Sequence, residues 1–251
     1  DPEALQARCP PCRVRRGYAA GVQAATRSRI DGHWSRRFGV PVPGLQPVTV
    51  AGSGRYDDAA LVVLLGDHAY VDTPLAALDA VTPLALTHGP AELLDPATWA
   101  PVATGPVPGP ADHFWADHGT DLTVDAPTID PADLELLRPA VSDAEWREAG
   151  FDREPHACFG IVEGGELVAA SVLTALWGWP VDVGVLVAPQ ARGRGLGATV
   201  AAAALAAGVG LSGFAAFRAA RANAASRAVA ARLGLDAYGA NVVVPLPPRA
   251  H

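Results

Sequence analysis

A run of β-branched and apolar residues over 181–187 ends at Pro189. It crosses a loop in which Arg192 and Arg194 alternate with Gly193, Gly195 and Gly197, then enters an Ala-rich segment over 198–207. Few folds accommodate that order. The first part has the composition of a strand, and the last, built on the strongest helix former, that of a helix. A strand feeding a glycine-rich loop at a helix N-terminus makes an anion site from main chain alone. Without Cβ atoms the glycines let backbone N–H groups close round a ligand. The first N–H groups of the helix, which lack intrahelical partners, point at the same place. Arg192 and Arg194 add charge of the sign a phosphate needs. A tight turn by itself needs neither three glycines nor two arginines.

The 251 residues carry a formal charge of −7, unevenly spread. Residues 1–40 hold 8 Arg against 3 acids, residues 41–187 hold 4 against 22, and residues 188–251 hold 7 against 1. The segment after the central strand is thus locally basic inside an acidic chain. That pattern suits a polyanionic small ligand at one end and a cationic substrate approaching from the other. It does not suit nucleic acid, which wants a broad basic face. No apolar run is long enough to span a bilayer and no signal-peptide layout is visible, so a cytoplasmic setting is expected. The chain starts at Asp1 and contains no Met, which reads as a trimmed N-terminus. Cys9 and Cys12 have the spacing of half a zinc knuckle, but no second pair completes it, and no metal site is expected. Cys158 reads as a small core residue.

A leader through residue 18 is expected to be mobile, followed by an N-terminal α/β region over 19–111 and a second domain over 112–251. In the first region the pattern predicts a helix over 19–38 and strands over 47–51 and 60–65. Thr73 caps a helix with Pro74 at its first position, and residues 96–111, rich in Pro and Gly, form a connector. The histidines of 112–118 carry no pattern and are taken as ordinary. Farther on, a short strand is expected over 122–125 and a helix over 130–137, and Ser142 with Glu145 makes a capping box. Strands over 158–163 and 167–176 join at Gly164-Gly165 as a hairpin. The Ala-rich helix is expected to stop at Gly208, with a strand over 213–217, a helix capped by Asn223 and closed at Gly234, and a last strand over 241–246.

Hairpin, strand, glycine loop, helix, strand, Asn-capped helix, Leu-Gly, strand: in that order residues 121–246 resemble the GNAT N-acetyltransferase superfamily. Arg192-Gly193-Arg194-Gly195-Leu196-Gly197 is similar to its acetyl-CoA signature. The stretch from Asn223 through Ser226 to Leu233-Gly234 is similar to its second landmark. The resemblance implies an α/β fold of mixed α+β type, with a mixed sheet and splayed central strands. It implies acetyl-CoA as co-substrate and a small-molecule or peptide amine as acceptor, with a homodimer as a possible assembly. It also implies site roles. The main chain of Val185, Leu186 and Val187 would hold the pantetheine arm, the backbone from Arg192 to Ala198 the pyrophosphate, and Asn223 with Ser226 the arm farther along. Asp182, in a region where family members place a carboxylate, would be the general base. The family's usual acid Tyr falls on Ala230 here, so Tyr238 or Ser226 would stand in, or water would protonate the thiolate.

Two other readings fit fewer residues. Gly193, Gly195 and Ala198 outline a dinucleotide fingerprint, but the required acid about 20 residues on is missing. A domain that binds acetyl-CoA as a sensor, its catalysis lost with the Tyr, is the non-enzymatic alternative.

Overall fold

The computed structural model describes residues 22–53, 55–176 and 179–248. Cys9 and Cys12, with the rest of the leader, lie outside the described residues. Among the described residues nine strands form one sheet in the order β1-β3-β2-β9-β4-β8-β7-β6-β5. They are β1 (Val48–Ser53), β2 (Ala59–Leu65), β3 (His68–Pro74), β4 (Ala111–Asp117), β5 (Pro155–Glu163), β6 (Glu166–Leu176), β7 (Trp179–Val187), β8 (Phe214–Ala220) and β9 (Asp236–Pro245). Two neighbouring pairs run parallel, β1 with β3 and β7 with β8, and the others are antiparallel. The sheet is therefore mixed, as expected, and continuous from the N-terminal strands to the C-terminal ones.

The α-helices among the described residues are α1 (Ala24–Phe38), α2 (Leu78–Leu86), α3 (Asp143–Glu148), α4 (Leu196–Ser212) and α5 (Ala224–Arg232). Period-two alternation decides which face each strand residue serves. Leu61, Val63 and Tyr70 pack with Ile30 and Trp34 of α1, whereas Ala60, Val62 and Val71 pack with Val81 and Ala85 of α2. Phe214 and Ala216 of β8 join the α1 side, and Ala215 and Phe217 pack under α4. Helix α3 lies over Val172 and Leu186, burying Trp146 and Phe151.

Several boundaries differ from the sequence pattern for identifiable reasons. Thr73 does not cap a helix. It pairs with Gly52 in the β1–β3 ladder, and a 3₁₀ turn over Leu75–Ala77 separates β3 from α2. Helix α4 passes through Gly208 and ends at Gly213, which takes the left-handed conformation (φ 76°). Gly208 serves packing, since a Cβ there would lie 2.8 Å from the Cβ of Ala215. Residues 122–125 form no strand, and in that region only Thr128 bridges, to Phe159. Residues 131–136 form a 3₁₀ helix in place of an α-helix. The unremarked stretch 112–118 supplies β4, which sits between β8 and β9 in the middle of the sheet. The Ser142–Glu145 capping box and the hairpin at Gly164-Gly165 form as expected.

Candidate active site

Strands β7 and β8 pair at only two positions, Asp182 with Ala216 and Val183 with Phe217. Beyond them β7 continues through Val185, Leu186 and Val187 without a β8 partner, so the sheet opens into a wedge. A cleft of about 670 Å³ occupies it, lined by residues of β7, the glycine loop, α5, the end of α3 and the Arg153 turn. Every residue expected to bind cofactor lines this cleft except Arg194.

The loop has the conformation its glycines predict. Gly193 (φ 78°) and Gly195 (φ 84°) are both left-handed, a region costly for side chains with a Cβ. Gly195 is the N-cap of α4 and carries no side chain to cap it. Leu196 and Gly197, whose N–H groups begin the helix without a capping partner, line the cleft, while the Ala198 N–H bonds the Gly195 carbonyl. At Gly197 a Cβ would lie 3.3 Å from Val187, which is how the helix start packs onto the strand end.

The two loop arginines act differently from one another. Arg192 stays at the cleft, its Nε donating to the Val187 carbonyl at 3.0 Å and its Nη2 to Glu145 at 2.7 Å. Arg194 turns to Glu163, making two 2.7 Å bonds with the carboxylate, and so lends little to an anion in the loop. A cation missed by the sequence reading takes its place. The Arg232 guanidinium sits over Gly195, where a Cβ would come within 2.9 Å of its Nη1. Among the described residues Arg232 makes no salt bridge or side-chain hydrogen bond. It was legible as a helical stripe: Ser226, Val229 and Arg232 recur every three residues on the side of α5 that lines the cleft.

Helix α3 bridges the two sides of the wedge. Glu145 reaches Arg192, and Glu148 accepts from Asn223 Nδ2 at 3.1 Å. The capping-box bonds from Ser142, together with Arg192, hold the Glu145 carboxyl down at about 2. Asn223 caps α5 as expected, its Oδ1 accepting from the Ser226 N–H at 3.0 Å.

At the closed end of the wedge β7 bulges at Val181, opposite Thr174 and Ala175 of β6, and the next residue, Asp182, lines the cleft. The carboxylate receives Arg218 Nε at 3.0 Å and Nη2 at 2.6 Å, and Arg153 Nη1 at 3.1 Å. Burial would raise its pKa, but Arg218 foremost, with Arg153 and His113, outweighs burial and leaves it below the ordinary Asp range. Asp182 is where the resemblance implied a carboxylate. As a proton acceptor, however, it is weak, and both its oxygens are engaged. Behind it His113, fully buried on β4, shares a 2.8 Å bond with Asn241 Oδ1, and burial above all pushes its pKa down to about 4.

The Tyr238 expectation needs correcting. This residue lies on β9 and packs on the α1 side, its hydroxyl donating to Asp31 at 2.6 Å with Arg27 over its ring. It does not line the cleft. Burial and the Asp31 carboxylate push its pKa up, so it neither reaches a leaving group nor gives up a proton readily. Cys158 is buried with its thiol raised to about 11, consistent with a core role. Among the described residues no helix is long and apolar enough to cross a membrane.

Residues 124–235 match the acetyltransferase (GNAT) family. Among solved structures the chain is similar to an acetyltransferase from the GNAT family of Colwellia psychrerythraea (15% identity, TM-score 0.45, covering 60% of this chain and 60% of that one). It is also similar to a GCN5-related N-acetyltransferase from Kribbella flavida (20% identity, TM-score 0.40, covering 57% of this chain and 60% of that one). A third is a tandem GNAT protein from the clavulanic acid biosynthesis pathway (18% identity, TM-score 0.42, covering 92% of each chain). The chain thus spans 60% of the length of each of the first two. No curated protein matches it.

Proposed function

From the GNAT acetyltransferase-family domain at residues 124–235, we propose that the chain is an acetyl-CoA-dependent N-acetyltransferase acting on a primary amine. The observation that carries this reading is the wedge between β7 and β8, which runs without interruption onto the glycine loop of α4. The cradle fits a diphosphate. It offers unpartnered N–H groups, two left-handed glycines that leave room for main chain to approach, and Arg232 overhead. Val185, Leu186 and Val187 pair with β6 but have no β8 partner, so apart from the Val187 carbonyl that Arg192 occupies their wedge-facing main chain is open to an amide-bearing arm.

Acetyl-CoA supplies an activated acyl carbon. The neutral amine nitrogen attacks it, a C–N bond forms and the C–S bond breaks. The nitrogen sheds a proton and the departing thiolate gains one. Strand N–H groups of β7 aimed at the carbonyl oxygen stabilise the charge that develops there. With Asp182 held by two arginines and Tyr238 outside the cleft, solvent water takes the amine proton and returns one to sulfur. An alkyl thiol with a pKa near about 8.5 leaves without a dedicated acid.

The test is a turnover assay with acetyl-CoA and a panel of amines, reading free thiol and the mass gain of one acetyl group on the acceptor. Thiol release that depends on both partners supports the reading. Tight cofactor binding with no release for any amine overturns it in favour of a sensor.

A further inference from the structure

The charge that faces the cleft is opposite in sign to what the acidic middle of the sequence implies. Of the residues lining it, only Glu145, Glu148 and Asp182 are acids, and each is already engaged, by Arg192, by Asn223, and by Arg153 with Arg218. Four arginines line the same cleft: Arg153, Arg192, Arg218 and Arg232. Of these three acids only Glu148 has no cationic partner among the described residues, so a cationic acceptor finds little negative charge left to it.

The closed end is the most unbalanced place. Two guanidinium groups share the single carboxylate of Asp182. Arg218 faces it with two nitrogens, whereas Arg153 touches it through Nη1 alone and its side chain stays 44% exposed. The other donors of Arg153 point to no protein acceptor among the described residues. His113, behind Asp182, adds no charge at physiological pH. A planar fork with spare donors, partly shielded from water, matches a carboxylate bidentately.

We propose that the acceptor amine carries a carboxylate of its own, as an amino acid does, and that Arg153 binds this carboxylate at the closed end of the wedge while Asp182 holds the guanidinium in place. This rests on the acetyltransferase reading above and names its acceptor class. The anchor lies at the end of the cleft where β7 and β8 still pair, and the glycine loop lies at the end where they have parted. An acceptor fixed there has the length of the gap between its amino group and the loop. Asp182 is then a positioning residue: its negative charge fixes Arg153 and Arg218, and the donors of Arg153 that it leaves unused are the ones the acceptor carboxylate takes.

The experiment measures acetyl transfer to α- and ω-amino acids, to their methyl esters and amides, and to spermidine. Free carboxylates should give the highest kcat/KM, and neutralising the carboxylate should lower it about 10- to 100-fold through KM, the range for losing a charge-assisted hydrogen bond. Arg153→Gln should raise KM for the free amino acids by a similar factor while leaving KM for the methyl esters unchanged. Arg153→Lys, which keeps the charge without the fork, should recover part of the loss. Equal or better use of esters, amides or spermidine overturns the proposal and leaves acetyl transfer standing. So does an Arg153→Gln variant, verified as folded by its melting curve, that lowers kcat equally for every acceptor, because Arg153 would then serve the acyl group. No thiol release with any amine defeats the underlying reading instead.

Discussion

Gly184 of β7 and Ala149 at the end of α3 approach so closely that a Cβ on the glycine would stand 1.8 Å from the Ala149 carbonyl oxygen. No side chain can occupy that space without moving backbone. The glycine therefore sets the height of α3 over the sheet, and with it the reach of Arg153, Glu145 and Glu148 to the cleft. Gly184→Ala should destabilise the protein by about 1–3 kcal/mol or more and lower Tm by roughly 2–4 °C per kcal/mol for a chain of this size. It should also raise KM for the acceptor. Gly210→Ala is the control: it sits in α4 with open space around it, and the substitution should stabilise by about 0.5–1 kcal/mol. Paired melting curves check both signs.

The anion cradle makes separate demands on backbone and charge. Gly195→Val forces a β-branched residue to a φ of 84°, against the Arg232 guanidinium. The expected outcome is loss of measurable coenzyme A binding, with the fold retained because the loop lies outside the core. Arg232→Gln tests charge alone and should weaken coenzyme A binding about tenfold, with a flatter salt dependence, since an exposed cation acts through a screened field. Titration calorimetry at two ionic strengths separates the two. An unchanged Kd in Arg232→Gln would mean that the phosphates lie elsewhere.

What the sequence disclosed about this site was mostly local, and what it hid was long-range. Gly193, Gly195 and Asn223 declare their roles within a few residues, because left-handed backbone and helix capping are local requirements. Ser142 with Glu145 does the same. Arg153 and Arg218 could not be read this way. They are 65 residues apart in sequence and acquire a function only when the β6–β7 bulge turns Asp182 between them. The stretch 112–118 stayed illegible for a similar reason. A strand flanked on both sides buries polar residues such as His113, so its pattern lacks clean alternation. Gly208 misled because a glycine near a helix end reads as a stop, whereas close contact with Ala215 asks for the same residue.

Acid should weaken the fold well above the carboxylate range. His113 has its pKa pushed to about 4, against an ordinary value near about 6.5, so the unfolded chain binds its proton first. The contribution is intact above about pH 6.5 and is lost as pH falls toward 4, the loss reaching about 3 kcal/mol at the bottom of that window. His33, also pushed to about 4 by burial and then by Arg36 and Arg37, acts in the same window but is partly exposed. Urea unfolding at pH 7 and pH 5 should show the loss, and His113→Gln should flatten it. A stability unchanged across this range would mean that His113 titrates normally.

Tyr238→Phe removes a hydroxyl that bonds to Asp31, outside the cleft. It should cost about 1 kcal/mol of stability and leave kcat within twofold. A large fall in kcat, measured under saturating acetyl-CoA, would restore the phenol as the acid.

Asp182→Asn distinguishes an ion-pair anchor from a base. The substitution keeps the shape but leaves Arg218 and Arg153 facing a neutral amide in a site where the native carboxylate is only 8% exposed. Removing one partner of a buried pair costs about 3 kcal/mol or more, with the Arg153 share reduced by solvent screening. The sign with pH follows from the lowered pKa of Asp182. Its stabilisation is fully present above the ordinary Asp value and is lost as pH falls through the lower folded value. Wild type and Asp182→Asn should therefore differ most at neutral pH and converge in strong acid. If Asp182 were instead the proton acceptor, the variant would melt close to wild type and lose turnover throughout the pH range. An anchor predicts a lower Tm, a raised KM for carboxylated acceptors and an unshifted acidic limb in the pH profile of kcat.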